Sequence, residues 1–140
     1  AILDYLGTLV DPARLSIPAS GKPRRDCLQV MGIATGVLDK AIAAAYEKSR
    51  RPPEKVHEPW RTHLLAQAAG GLAALEARSY NPWALGKTMT MADITVAVAV
   101  TFLRAMAPEL APAGSYPRLA ALTERCEALP AFKAHPLETP

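Results

Sequence analysis

At 140 residues, half of them apolar, the chain can bury one substantial core and is too short for two ordinary domains. Sixteen basic residues against thirteen acidic ones leave a net charge of only +3, so no strong field for an anionic partner is expected. The basic clusters, Lys22-Pro23-Arg24-Arg25 and Arg50-Arg51, are small, sit beside expected helix ends and lack the interleaved aromatics of a nucleic-acid-binding stripe, so they read as solvated charge.

The chain opens inside an amphipathic pattern. Ala1-Ile2-Leu3-Asp4-Tyr5-Leu6 reads as the last turns of a helix with no N-cap before it, stopped by Gly7. A start in mid-helix is expected to be a truncation, with residues 1–9 the remnant of a preceding unit. Residues 10–23, rich in proline and serine around Leu15 and Ile17, read as a linker that those two aliphatics partly anchor. The helical domain proper is expected over 24–140.

From Arg24 to Arg51 runs one long helical pattern, ended by Pro52-Pro53. It carries two adjacent apolar seams: Cys27, Val30, Ala34, Val37 and Ala41, then Leu28, Met31, Thr35, Leu38, Ile42 and Ala45. A stripe that wide is more than one neighbouring helix can cover. Gly32, Gly36 and Ala43 form a third line of the smallest residues, suited either to tight internal packing or to the approach of another backbone or a ligand. Asp39 lies next to that line. Either it is a surface acid paired with Lys40 or Lys48, or it stands at the mouth of a cleft.

A second helix is expected from Glu58, with Pro59 in its first turn, to about Tyr80. Trp60, Leu64, Ala68, Leu72 and Leu75 are its expected core stripe. Gly70-Gly71 inside it costs about 1 kcal/mol per glycine against alanine, which implies a close neighbour.

Thr90 and Asp93 have the spacing of an N-cap and an N3 acid, a capping box, with Met89 and Ile94 placed as a hydrophobic staple. The run Ile94–Leu103 that follows is β-branched enough to suggest a strand. The capping box and a length of about 16 residues before Pro108 favour a helix, apolar all round and therefore buried on every side. A last helix starts near Tyr116-Pro117-Arg118, with Leu119, Leu122, Cys126 and Leu129 in register. Pro130 then closes it or opens a short turn through Phe132, and the tail from Pro136 is expected to be loose.

Chemistry-bearing patterns are few. His57, His63 and His135 have no second ligand at metal spacing, so no metal site is expected. Cys27 and Cys126 fall on apolar seams and read as buried free thiols, which suits a reducing compartment. The four methionines read as core filler. No nucleophile elbow, phosphate-binding glycine loop or CxxC is present. The longest apolar run, Ala97–Leu103 between Asp93 and Arg104, is too short to span a bilayer. The expected location is cytoplasmic, with neither membrane nor nucleic acid as partner. A helix-turn-helix regulator is excluded because no helix pair carries a basic recognition face.

The order of these pieces resembles the glutathione transferase superfamily across essentially the whole chain. Residues 1–6 look like the end of the final helix of its thioredoxin-like domain. Thr90-Met91-Ala92-Asp93-Ile94 looks like the capping box of its buried central helix. Tyr116-Pro117-Arg118-Leu119 and Leu129-Pro130-Ala131-Phe132 look like its closing helices. Ile33-Ala34-Thr35-Gly36-Val37-Leu38-Asp39 with Arg51-Pro52-Pro53 is similar to small bacterial members. The resemblance implies an all-α bundle of about five helices, the C-terminal domain of such an enzyme. It also implies glutathione as co-substrate, bound mainly by the other domain, and a small apolar electrophile held by Met31, Thr35, Leu38, Asp39 and Ile42. A homodimer through the first helix pair, where Gly32 and Gly36 lie, is implied as well. No catalytic residue is expected in this chain, which should be inactive alone. The alternative is a non-catalytic dimerisation or adaptor module.

Overall fold

The computed structural model describes residues 2–10 and 16–137; the expected anchor Leu15, Ala1 and the last three residues of the tail lie outside them. The described residues form six α-helices and one short 3-10 turn, with no strand among them. They are α1 (Ile2–Thr8), α2 (Gly21–Ser49), α3 (Glu58–Glu76), α4 (Met91–Met106), α5 (Pro117–Glu127) and α6 (Pro130–Lys133), with the 3-10 turn at Pro53–Lys55 between α2 and α3.

Gly7 does not stop α1. The helix runs on to Thr8, whose hydroxyl donates to the Tyr5 carbonyl at 2.7 Å. No residue of α1 is buried. An ion pair ties it to the bundle: Arg24 forks onto both oxygens of Asp4, at 3.0 and 2.7 Å. That hydrogen bond holds the Asp4 carboxyl below the usual carboxylate range. The basic cluster at 22–25 is therefore only partly solvated charge, since Lys22 and Arg25 also converge on Asp26, each at 2.6 Å.

The long helix begins at Gly21, three residues before the expected Arg24. Gly21 takes φ +68°, a left-handed turn into the helix that a side chain disfavours, and Pro23 fits the first turn because no amide is needed there. α2 packs on α3 and α4, α4 on α5, and α5 on α3 and α6. The first expected seam of α2, Cys27 to Ala41, is buried along its whole length and continues to Ala44. By length and composition α2 could also cross a bilayer, which the shorter run at 97–103 could not; here its buried side is packed against its neighbours.

α3 buries Leu64, Ala68, Leu72 and Leu75, but Trp60 is 48% exposed. Steps of four residues advance about 40° around a helix, so the seam has turned away from Trp60 within two turns. The indole stacks on His63 instead, with ring centroids 5.5 Å apart. The close neighbour expected at the double glycine is real at one position. A Cβ on Gly71 would stand 2.4 Å from Cγ2 of Val37 on α2, whereas Gly70 faces open space.

The conflict over Ile94–Leu103 resolves as a helix. Asp93, fully buried, accepts from the Thr90 amide at 2.8 Å and the Thr90 hydroxyl at 3.1 Å, and its own amide donates to the Thr90 side chain, which completes the capping box. Its other oxygen accepts from the Ala84 amide at 2.6 Å, which pins the preceding loop to the helix. The Met91 amide donates to the Ser16 carbonyl at 2.6 Å, so α4 starts beside the segment that leads into α2. α4 is not buried on every side: Val98 and Met106 are each 49% exposed, because α2 and α5 cover only part of its circumference.

A reciprocal clamp joins α3 to α5 across 42 residues. The Glu76 carboxylate accepts from the Arg118 and Leu119 amides at 2.9 and 3.0 Å, capping α5, while the Arg118 guanidinium reaches back to the Glu76 carbonyl at 3.4 Å.

Candidate functional site

Met31, Thr35, Leu38 and Ile42 are spaced 4, 3 and 4 residues apart, which places them within about 60° of one another on α2, over about 16 Å of its length. Met31, Leu38 and Ile42 are half-buried and flank the core seam, while Thr35 is exposed. Its hydroxyl donates back along the helix, to Met31 O at 3.0 Å and Gly32 O at 3.2 Å. Asp39 lies about 40° to one side of Thr35 and is exposed; the expected ion pair with Lys40 or Lys48 is not among those of the described residues. Gly32 and Gly36 have nothing within 4 Å of where a Cβ would stand, so internal packing does not account for their size.

At its C-terminal end this stripe runs into a groove. Ile42, Ala45 and Tyr46 of α2 face Phe102, Met106 and Ala107 at the far end of α4, around a cavity of about 330 Å³. The walls are apolar apart from the Tyr46 phenol, and the Arg50 guanidinium sits 5.2 Å from the Tyr46 ring centroid. Of the sequence-read residues only Ile42 enters the groove. Tyr46 continues the same i, i+4 register and was legible in principle; Phe102 and Met106 come from another helix and were not.

Several titratable and nucleophilic groups elsewhere are committed to structure. Cys126 is fully buried, its thiol pushed up to about 11 by that burial, and Cys27 is equally buried. The Tyr80 hydroxyl donates to Leu75 O at 2.9 Å and is pushed up to about 12 by burial. Glu47 accepts from the His57 amide at 3.0 Å and Arg51 Nε at 2.9 Å; these contacts, the amide first, hold its carboxyl below the usual range. His57 caps α3 by accepting from the Trp60 amide at 3.1 Å. Among the described residues no three metal-ligating side chains converge. The arrangement can bind an apolar molecule.

Residues 58–125 match the family described as glutathione S-transferase, C-terminal domain. Two structures of a glutathione transferase family member from Pseudomonas fluorescens Pf-5 are similar to the chain. The one with bound glutathione is 30% identical with a TM-score of 0.87, covering 99% of this chain and 66% of that one. The other, with bound S-(propanoic acid)-glutathione, is 31% identical with a TM-score of 0.84, covering 97% and 69%. A glutathione S-transferase from Methylobacterium radiotolerans JCM 2831, in complex with glutathione sulfonate, is 25% identical with a TM-score of 0.86, covering 95% and 62%. The chain thus spans just under two thirds of the glutathione-bound Pseudomonas structure and of the Methylobacterium structure, and somewhat more than two thirds of the Pseudomonas structure with the propanoic acid adduct. No curated protein matches it.

Proposed function

The chain belongs to the glutathione transferase family, and on that premise we propose that it supplies the helical half of an enzyme joining glutathione to a small apolar electrophile. The observation that carries this reading is the α2–α4 groove: apolar walls, a volume at the lower end of the range for small-molecule sites, and Ile42 at its edge. The electrophile lies along the Met31–Ile42 stripe with its apolar body in the groove. Thr35 and Asp39 border it as the polar neighbours.

Glutathione itself does not fit this face as its main site. The tripeptide carries two carboxylates, whereas the polar side chains along the stripe are an acid, Asp39, and a hydroxyl whose proton is already donated to backbone, Thr35, and the Arg50 guanidinium at the groove's end lies over the Tyr46 ring. Its thiolate must be held and activated elsewhere. We therefore propose that this chain alone does not conjugate. Residues 1–9 are then the close of the glutathione-binding domain and 10–23 the link between domains. The outward apolar side chains of α1, Ile2, Leu3, Tyr5 and Leu6, support that reading, since such a face packs against another unit. The same face supports the second reading, an adaptor that docks a partner protein. Homodimerisation through α2 and α3 is part of the proposal, supported by the open surface over Gly32, Gly36 and Gly70. A cytoplasmic setting suits the two free thiols.

The test is titration with anilinonaphthalene sulfonate, whose fluorescence rises in apolar grooves. The chain is expected to bind it, and Ile42→Trp, which fills the groove, to weaken binding by about tenfold. Equal binding by both would remove the groove from the reading. A clear thiol-dependent rate with chlorodinitrobenzene would overturn the proposed inactivity.

A further inference from the structure

α4 carries a second opening, on the flank away from the groove beside α2. It holds about 420 Å³ between α4 and the segment that follows α5, with Val98, Phe102, Phe132 and Leu137 among its apolar walls and Thr101 and Glu127 as polar members. Phe102 lines both openings and is half-buried. Its ring is therefore a shared wall between them.

The second opening differs from the first in its charge. Glu127 is half-buried, and the Thr101 hydroxyl donates to its Oε1 at 2.8 Å. Among the described residues nothing donates to Oε2 and no ion pair includes Glu127, although Arg104 borders the adjoining cavity with it. A carboxylate keeps acceptor capacity after one hydrogen bond, and beside apolar walls its negative charge favours a cationic group. His135 also lines this opening, so the site is not uniformly acidic.

We propose that the binding site is bipartite and takes an elongated apolar molecule ending in a cationic group. Its body lies in the α2–α4 groove, it passes Phe102, and its charged end meets Glu127. Val98, Phe102 and Met106 follow one another at i, i+4 and i+8 along α4, a stripe about 12 Å long that borders both openings. Phe102 then sets how long a molecule is admitted. This rests on the reading of the α2–α4 groove as the electrophile site and adds the substrate class.

Two dyes test it on the 140-residue chain: thioflavin T, elongated and cationic, and anilinonaphthalene sulfonate, compact and anionic. Glu127→Gln keeps an acceptor for Thr101 and so the local fold, which far-ultraviolet circular dichroism checks. It is expected to weaken thioflavin T by about tenfold and to leave the anionic dye within about twofold. Phe102→Trp, which thickens the wall and also narrows the α2–α4 groove, is expected to weaken both dyes, thioflavin T the more strongly. Unchanged thioflavin T binding in both variants, or equal loss of both dyes, overturns the bipartite site. Ile42→Trp separates the two readings. If it does not weaken the anionic dye, the groove reading fails; if it does while Glu127→Gln changes nothing, only the second compartment fails.

Discussion

The two ends of α4 are built on opposite terms. At Met91 the helix is pinned by polar contacts. One fully buried carboxylate, Asp93, gathers the Thr90 amide, the Thr90 hydroxyl and the Ala84 amide, and the Met91 amide reaches Ser16. At Met106 it is held by little more than side-chain packing, with Val98, Phe102 and Met106 bordering grooves rather than filling a core. Order is concentrated where the chain must be positioned, and open apolar surface lies where a molecule can bind. The contrast is physical: a buried carboxylate is tolerated only when its hydrogen bonds are made, and that requirement rigidifies its surroundings.

The sharpest way to break this contrast is Asp93→Ala. It strips the acceptor from two backbone amides, each costing about 1–3 kcal/mol when buried and unpaired, and removes a cap worth about 1 kcal/mol. A loss of about 3–5 kcal/mol is expected, read as a lower urea midpoint at unchanged slope. A loss below about 1 kcal/mol would mean that the loop at 84 and the cap at 90 do not depend on this residue.

The same opposition of packed and open recurs within two residues of α3. Gly71→Ala places a methyl 2.4 Å from Cγ2 of Val37, a buried β-branched side chain with few rotamers to give way. A net loss of about 1–2 kcal/mol is expected, overpacking outweighing the gain in helix propensity. Gly70→Ala meets nothing and should stabilise the isolated chain by up to about 1 kcal/mol. Identical substitutions at adjacent positions should thus move the thermal midpoint in opposite directions, and a shift of the same sign in both would refute the packing account.

What the sequence disclosed follows from the range of each signal. Thr90 and Asp93 were legible because a capping box is written in four consecutive residues, and α2's buried seam because its period is local. The bond from Ala84 to Asp93 and the clamp between Glu76 and Arg118 were not, since the first depends on how a loop folds back and the second spans 42 residues. Trp60 was misplaced because a spacing of four drifts off a stripe over several turns. The all-apolar run in α4 implied burial on every side, whereas its neighbours leave part of it uncovered. For the candidate site, periodicity put Met31, Thr35, Leu38 and Ile42 on one face; it had no means of pairing Ile42 with Phe102 and Met106 on another helix. Composition gave no hint that Glu127 stands beside an apolar wall.

The smallest expected effect sharpens the comparison most directly, because it asks whether the open end of α4 is dispensable for folding. Met106 is 49% exposed and borders the α2–α4 groove, so removing its thioether leaves a wider groove rather than a sealed cavity. Without a cavity there is no cavity cost, and only part of the side chain loses apolar cover. Met106→Ala is therefore expected to change stability by no more than about 0.5 kcal/mol, within the range of surface substitutions. Binding should respond where stability does not, with a bulkier apolar dye gaining relative to anilinonaphthalene sulfonate. If Met106→Ala instead lowered stability by more than about 2 kcal/mol, as a core methionine would, that end of the helix would count as core and the division along α4 would fail.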